Sequence, residues 1–126
     1  MKTILIVDDE AFFSESIQSA FNQSEYKIIT ALDGEQGLRM IQEFKPDAVL
    51  LDITMPGMNG LEVLKKIDTK KIPVMITSNM SDKKIIGEAM TLGAKGYIIK
   101  SNELPKSIAE NIKHLFVTRK PEIKVA

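Results

Sequence analysis

The sequence predicts an α/β fold built on a buried parallel sheet, and three observations predict it. Short apolar runs alternate with segments of helical periodicity five times along the chain. The strand-like runs are apolar without alternation, the pattern of strands covered on both faces. Four of them end in polar or charged residues: Asp8 and Asp9 after the first, Asp52 after the third, Thr77 in the fourth and Lys100 after the fifth. In a parallel sheet all these ends share one edge, and ligands of open α/β sheets bind outside that edge.

The elements follow in order. Thr3–Val7 is a β-branched, apolar strand running into Asp8-Asp9-Glu10. Phe13, Ile17, Ala20 and Phe21 recur at the spacing of a helix packed on one side. Lys27–Ala31 reads as the second strand, and Asp33-Gly34 punctuates before a helix marked by Leu38, Ile41 and Phe44. After Pro46, the unbroken run Ala48–Leu51 is too short for a helix and forms the central strand, ending at Asp52. Met55-Pro56-Gly57-Met58-Asn59-Gly60 cannot extend it, because Pro56 lacks an N–H and the glycines favour a loop. Gly60 leads into a third helix with Leu61, Leu64 and Ile67, and Pro73–Thr77 is the fourth strand. Ser81 is the expected N-cap of a fourth helix carrying Ile85, Ile86, Ala89, Met90 and Leu92, which Gly93 ends by taking the left-handed conformation. Tyr97–Ile99 is the fifth strand, terminating at Lys100. Pro105 opens a fifth helix with Ile108, Ile112, Leu115 and Phe116. Residues 1–118 form one domain on this reading, and residues 119–126 a flexible polar tail in which only Ile123 or Val125 would make contacts.

Composition narrows the function classes. With 126 residues, 44% of them apolar and 27% charged, the chain suits one globular domain with a substantial core. It has no cysteine, which removes disulfides and thiolate metal sites. No apolar run approaches a membrane span and no signal-peptide pattern opens the chain, so the expected location is cytoplasmic, without membrane contact. The net charge is zero, but residues 1–60 carry −6 and residues 61–126 carry +6. The basic excess is scattered over lysines without interleaved aromatics, which argues against direct nucleic-acid binding. His114, the one histidine, has no ligand-spaced partner, and the seven methionines form no common stripe; they read as surface and core filler respectively.

The strand-end residues are ordinary one by one and unusual together. Clustered carboxylates repel, and a cation or Lys100 would relieve them. Oxygen ligands without His or Cys suit a hard ion such as Mg²⁺, which commonly takes one or two carboxylates plus waters and phosphate oxygens. A carboxylate can itself attack phosphorus, and phosphoryl transfer needs positioning and charge neutralisation above all.

In this order and spacing, four segments resemble the receiver domain of two-component response regulators from Lys2 to about Phe116. They are Ile4–Glu10, Asp52 with Met55–Gly60, Ile72–Thr77, and Gly93–Lys100. The resemblance implies a flavodoxin-like (βα)5 fold with strand order 2-1-3-4-5. It implies that Asp52 is the phosphoacceptor, loaded by a sensor histidine kinase or a phosphotransfer protein. Asp9, Asp52 and the backbone carbonyl of Thr54 would ligate Mg²⁺, and Asp8 would act through a metal-bound water. Lys100 would pair with the phosphoryl group and Thr77 would hydrogen-bond it. Tyr97 matches the aromatic that swings inward as the threonine moves, and the output surface for a downstream protein would be helix four, strand five and helix five. Such a domain is a monomer, or a dimer when phosphorylated, and is a regulatory switch with only self-catalysed phosphoryl chemistry rather than an enzyme.

One departure stands out: the family usually has proline after the strand-five lysine, often in a cis bond, and Ser101-Asn102 stands here. A cis bond before a non-proline residue costs about 3 kcal/mol, so the loop is either trans and rerouted or held cis by its contacts. Two other classes fit less well. An aspartyl phosphatase of the haloacid dehalogenase type needs an aspartate two residues after the nucleophile, where Thr54 stands, and a cap insertion. A flavodoxin-like cofactor binder needs a phosphate cradle after strand one, where three acids stand instead. A receiver that works without phosphorylation is disfavoured, since no acidic, threonine or lysine position is lost. Helix four is apolar over a wide arc, which fits either ordinary burial or a partner face.

Overall fold

The computed structural model describes residues 1–116. Five strands, β1 (Lys2–Val7), β2 (Tyr26–Ala31), β3 (Ala48–Asp52), β4 (Val74–Ser78) and β5 (Gly96–Ile99), alternate with five helices. These are α1 (Ala11–Ser19), α2 (Gly34–Phe44), α3 (Gly60–Lys65), α4 (Lys83–Thr91) and α5 (Pro105–His114). All strand pairs are parallel and the order is β2-β1-β3-β4-β5, as expected for the flavodoxin-like arrangement.

The period of two along a strand divides the core. Leu5 and Val7 of β1, Val49 and Leu51 of β3, and Val74 and Ile76 of β4 face α2, α3 and α4. Ile4 and Ile6, Ala48 and Leu50, and Met75 face α1 and α5, where Ile17, Ile108 and Ile112 are buried. Every residue of β3 is buried, which is why its sequence shows no alternation.

Element ends differ from the sequence expectation in instructive ways. The N-cap of α4 is Asp82, whose carboxylate accepts from the Lys84 N–H, and not Ser81. Both side chains can cap, and the helix starts one residue later than periodicity alone suggests. Helix α3 is only six residues long, so Ile67 falls in the turn beyond it, yet stays buried in the same cluster. Gly93 closes α4 with φ of 104°, and the bonds Gly93 N–H to Met90 O and Ala94 N–H to Ala89 O complete a Schellman cap. Ile85, Ile86 and Met90 of α4 are half-buried against the sheet, which accounts for the wide apolar arc as burial. Among the described residues no peptide bond is cis, and the chain leaves β5 through a 3₁₀ turn over Lys100–Asn102. The missing proline therefore goes with a trans bond after Lys100. The tail expected over 119–126 lies outside the described residues.

Candidate functional site

The carboxyl edge of the sheet gathers the polar strand ends. Register sets Asp52 of β3 directly beside Thr77 of β4, and Val7 beside Leu51, so that Asp8 leaves β1 next to the end of β3. Asp8 is 1% exposed and Asp52 2% exposed, whereas Asp9 and Glu10 are open to solvent. One oxygen from each of Asp8, Asp9, Glu10 and Asp52 lies within 4.8 Å of the others.

Lys100 sits inside this group. Its Nζ is 2.7 Å from Asp8 Oδ2, 3.1 Å from Glu10 Oε1 and 3.3 Å from Asp52 Oδ2. The lysine side chain is 7% exposed, and its Nζ also stands 4.4 Å from the centre of the Phe13 ring. Despite the absent proline, Lys100 is thus aimed at the carboxylates.

Electrostatics follow from this burial. Desolvation pushes the Asp52 carboxyl up to about 6, with the neighbouring Asp8 charge adding to it; Lys100 and the Thr54 N–H work in the opposite direction. Burial also raises Asp8 against the pull of Lys100 and the Glu10 N–H. Burial alone would lower Lys100, but Asp8, Asp52 and Glu10 together outweigh it and its pKa is raised. Lys100 therefore stays an ammonium while Asp52 is a carboxylate at neutral pH.

The loop after β3 is fixed by backbone geometry. A Cβ at Gly60 would collide with the Asp52 carbonyl oxygen and come within 2.6 Å of Ile53 Cα, so glycine is needed there. The Gly60 N–H donates to Ile53 O at 2.9 Å, and Asn59 caps α3 by accepting from the Glu62 N–H at 3.1 Å. Gly57 turns the loop with φ of 78°. The Thr54 N–H donates to Asp52 Oδ1 at 3.2 Å, and the Thr54 hydroxyl reaches Met80 Sδ at 3.8 Å.

Thr77 Oγ1 is buried and has no hydrogen-bond partner among the described residues. Such an orphaned hydroxyl beside a carboxylate can donate to an anion seated on Asp52. Tyr97 is 1% exposed, so its ring already lies inward, and its hydroxyl donates to Met80 O at 2.9 Å. Burial raises its pKa. His114, in the last turn of α5, is exposed.

Six of the seven candidate residues thus lie on one edge, Tyr97 stands inside β5 and reaches toward it through its hydroxyl, and two further residues join them. Glu10 was visible only as part of an acidic run. Phe13 sits at a position whose spacing reads as core, and nothing in the pattern separates a core ring from one that also covers an ammonium. The donor set consists of carboxylate oxygens without nitrogen or sulfur, which fits Mg²⁺.

Comparison with known proteins points one way. The model of the response regulator receiver domain matches residues 4–113. Protein CcdB of Bacillus subtilis is 38% identical over 109 residues, covering 84% of this chain and 91% of that protein. The chemotaxis protein CheY of Thermotoga maritima is 36% identical over 103 residues, 79% of this chain and 85% of that one. A CheX–CheY complex with BeF₃ and magnesium from Borrelia burgdorferi superposes with a TM-score of 0.82 at 29% identity, over 93% of this chain and 90% of that one. Other relatives, named as a response regulator and a transcriptional regulatory protein, are longer, and the chain spans about half of them.

Proposed function

Because the chain belongs to the response regulator receiver domain family, which places it in two-component signalling as a regulatory domain, we propose that it is a switch set by phosphorylation of Asp52. The observation that carries this reading is the position of Asp52. It is a buried carboxylate at the end of β3, with a lysine ammonium at 3.3 Å, an unpartnered threonine hydroxyl in the adjacent strand and three more carboxylates in reach.

The chemistry follows from those groups. An Asp52 oxygen attacks phosphorus, a new P–O bond forms, and the bond from phosphorus to the donor's nitrogen or oxygen breaks. The donor is a phosphohistidine of a sensor kinase or phosphotransfer protein, or a small acyl phosphate. Asp9, Asp52 and the Thr54 carbonyl would hold Mg²⁺, with Asp8 acting through water; the ion would neutralise charge on the phosphoryl oxygens. Lys100 offers a second positive charge to the same oxygens, and Thr77 Oγ1 gives the hydrogen bond it makes nowhere else among the described residues. Phosphorylation replaces the single charge of the Asp52 carboxylate with a phosphoryl group carrying about one and a half to two, and this larger, displaced charge redistributes Lys100 and Thr77 and biases the surface of α4, β5 and α5, where a downstream protein docks. Because the Tyr97 ring is already inward, its part in the switch is a change at the Met80 hydrogen bond rather than a swing from solvent. The domain works in the cytoplasm, as a monomer before phosphorylation.

The test is intact-mass spectrometry after incubation with acetyl phosphate and Mg²⁺. One phosphoryl group is expected on the wild type and none on Asp52→Asn. Unchanged labelling of the variant removes Asp52 from the role, and an unlabelled wild type removes the phosphoacceptor reading itself.

A further inference from the structure

The β5–α5 connection holds the most important cation of the site, yet supplies none of the recorded partners of that cation. Ser101 and Asn102 are exposed, the 3₁₀ turn has no side-chain cap, and the Glu103 carboxylate is taken by the Ser107 hydroxyl. Every recorded partner of the Lys100 ammonium comes from elsewhere: Asp8, Glu10 and Phe13 from the end of β1 and the start of α1, and Asp52 from β3.

The start of α1 is arranged around that ammonium. Glu10 is the N-cap residue, but its side chain makes no capping bond; its carboxylate points at Lys100 instead. Phe13 follows three residues later, and residues three apart lie on the same side of a helix. Carboxylate and ring therefore reach Lys100 together. An ammonium has three N–H bonds, and three carboxylates lie within 3.3 Å of it. Two of those, Asp8 and Asp52, are the groups that metal and phosphoryl chemistry would engage. Glu10 is 57% exposed on its side chain and screened by water. The Phe13 ring, half-buried at 4.4 Å, is the partner that neither a metal nor a phosphoryl group would compete for. The attraction between a cation and a ring face is largest where water is excluded, as it is around a lysine 7% exposed.

We propose that Phe13 is a positioning residue for the phosphoryl-transfer site, its ring holding the Lys100 ammonium over Asp52 from the side that the carboxylates leave open. The inference rests on the phosphoacceptor reading of Asp52. It adds that the lysine is held in part by a ring of α1 and not by its own loop.

Two substitutions separate the ring from simple packing. Phe13 also packs against the Ile17 and Ile108 cluster. Phe13→Leu keeps an apolar group there and removes the ring, whereas Phe13→Tyr keeps the ring. The first readout needs no phosphorylation: the Lys100 Hε and Cε resonances should sit upfield in the wild type by ring-current shielding, move downfield in Phe13→Leu and return in Phe13→Tyr. The second is labelling with acetyl phosphate and Mg²⁺. Phe13→Leu should lower the rate constant at saturating donor about tenfold, a loss of the order expected for one desolvated cation–ring contact, with the half-saturating donor concentration little changed; Phe13→Tyr should restore the rate. The proposal is overturned if Lys100 resonances and rate are both unchanged in Phe13→Leu, or if Phe13→Tyr is as slow as Phe13→Leu. An unlabelled wild type would instead bring down the phosphoacceptor reading, whatever the resonances show.

Discussion

Asp52 and Lys100 end strands on either side of β4 and meet at 3.3 Å, but they are held in place by different means. The Asp52 side is fixed by backbone. Ile53 N–H donates to Thr77 O at 3.1 Å, Gly60 N–H donates to Ile53 O, and Gly60 fits against the Asp52 carbonyl with no room for a side chain. The Lys100 side is fixed by side chains arriving from the end of β1 and the start of α1, while its own loop is a short turn with exposed residues. Asp52 sits in a frame that tolerates little, and the Lys100 ammonium on an arm steadied at its tip. Substitutions should therefore be costly to folding on the first side and costly mainly to chemistry on the second.

The largest test of that contrast is Gly60→Ala. Its Cβ would meet the Asp52 carbonyl and Ile53 Cα, backbone atoms that cannot turn away. Urea unfolding should show a loss of about 3 kcal/mol, at the upper end of typical overpacking costs. A loss below about 1 kcal/mol would mean that the β3–α3 loop gives way freely, and the contrast with the Lys100 side would disappear.

A second test uses the charge held in the rigid frame. In metal-free protein Asp52 has its pKa raised from 3.8 to about 6. A carboxyl that binds its proton more tightly when folded favours the native state most at low pH. That contribution is fully present below pH 3.8 and is lost as pH rises through about 6, so the ionised group costs the native state about 3 kcal/mol at neutral pH. Asp8, also raised, acts in the same direction. Asp52→Asn should accordingly stabilise the metal-free protein at pH 7.5 by about 3 kcal/mol, the pairing with Lys100 being already contained in the net shift. Its stability should also fall less steeply between pH 4 and 6. Thermal unfolding in EDTA across that range measures both, and a variant less stable than the wild type at pH 7.5 would show that the Lys100 pair outweighs desolvation.

The same division explains what could be read from the sequence. The frame was legible because backbone demands leave residue types behind: an all-apolar strand, a proline and two glycines announce β3, its end and its loop. Asp8, Asp9, Asp52, Thr77 and Lys100 were legible as strand ends because a parallel sheet sends all of them to one edge. The positioning of Lys100 was not legible. Phe13 satisfies the helical period of a core residue equally well with or without an ammonium against its ring, and Glu10 looks like one more acid in a run. Nor does the pattern give the resting position of Tyr97, since an inward ring and an outward one need the same alternation. Helix ends were read to within a residue or two where two capping residues adjoin, as at Ser81 and Asp82.

The smallest effect belongs to the contact that joins the two sides. Tyr97 lies in β5, and its hydroxyl donates to Met80 O; the Met80 sulfur in turn accepts from the Thr54 hydroxyl, two residues beyond Asp52. This chain is a side-chain route from β5 to the loop after Asp52 that bypasses Lys100. Tyr97→Phe keeps the buried ring and removes the hydroxyl, leaving Met80 O, in a half-exposed loop, free to turn to water. The expected cost is about 1 kcal/mol, with an unchanged urea m-value. Amide resonances of Met80 and Thr54 should shift while those of Phe13 and Lys100 stay in place. If the Lys100 signals move as well, the ammonium is positioned through Tyr97 too, and the separation between a backbone-held Asp52 and a side-chain-held Lys100 would have to be redrawn around Met80.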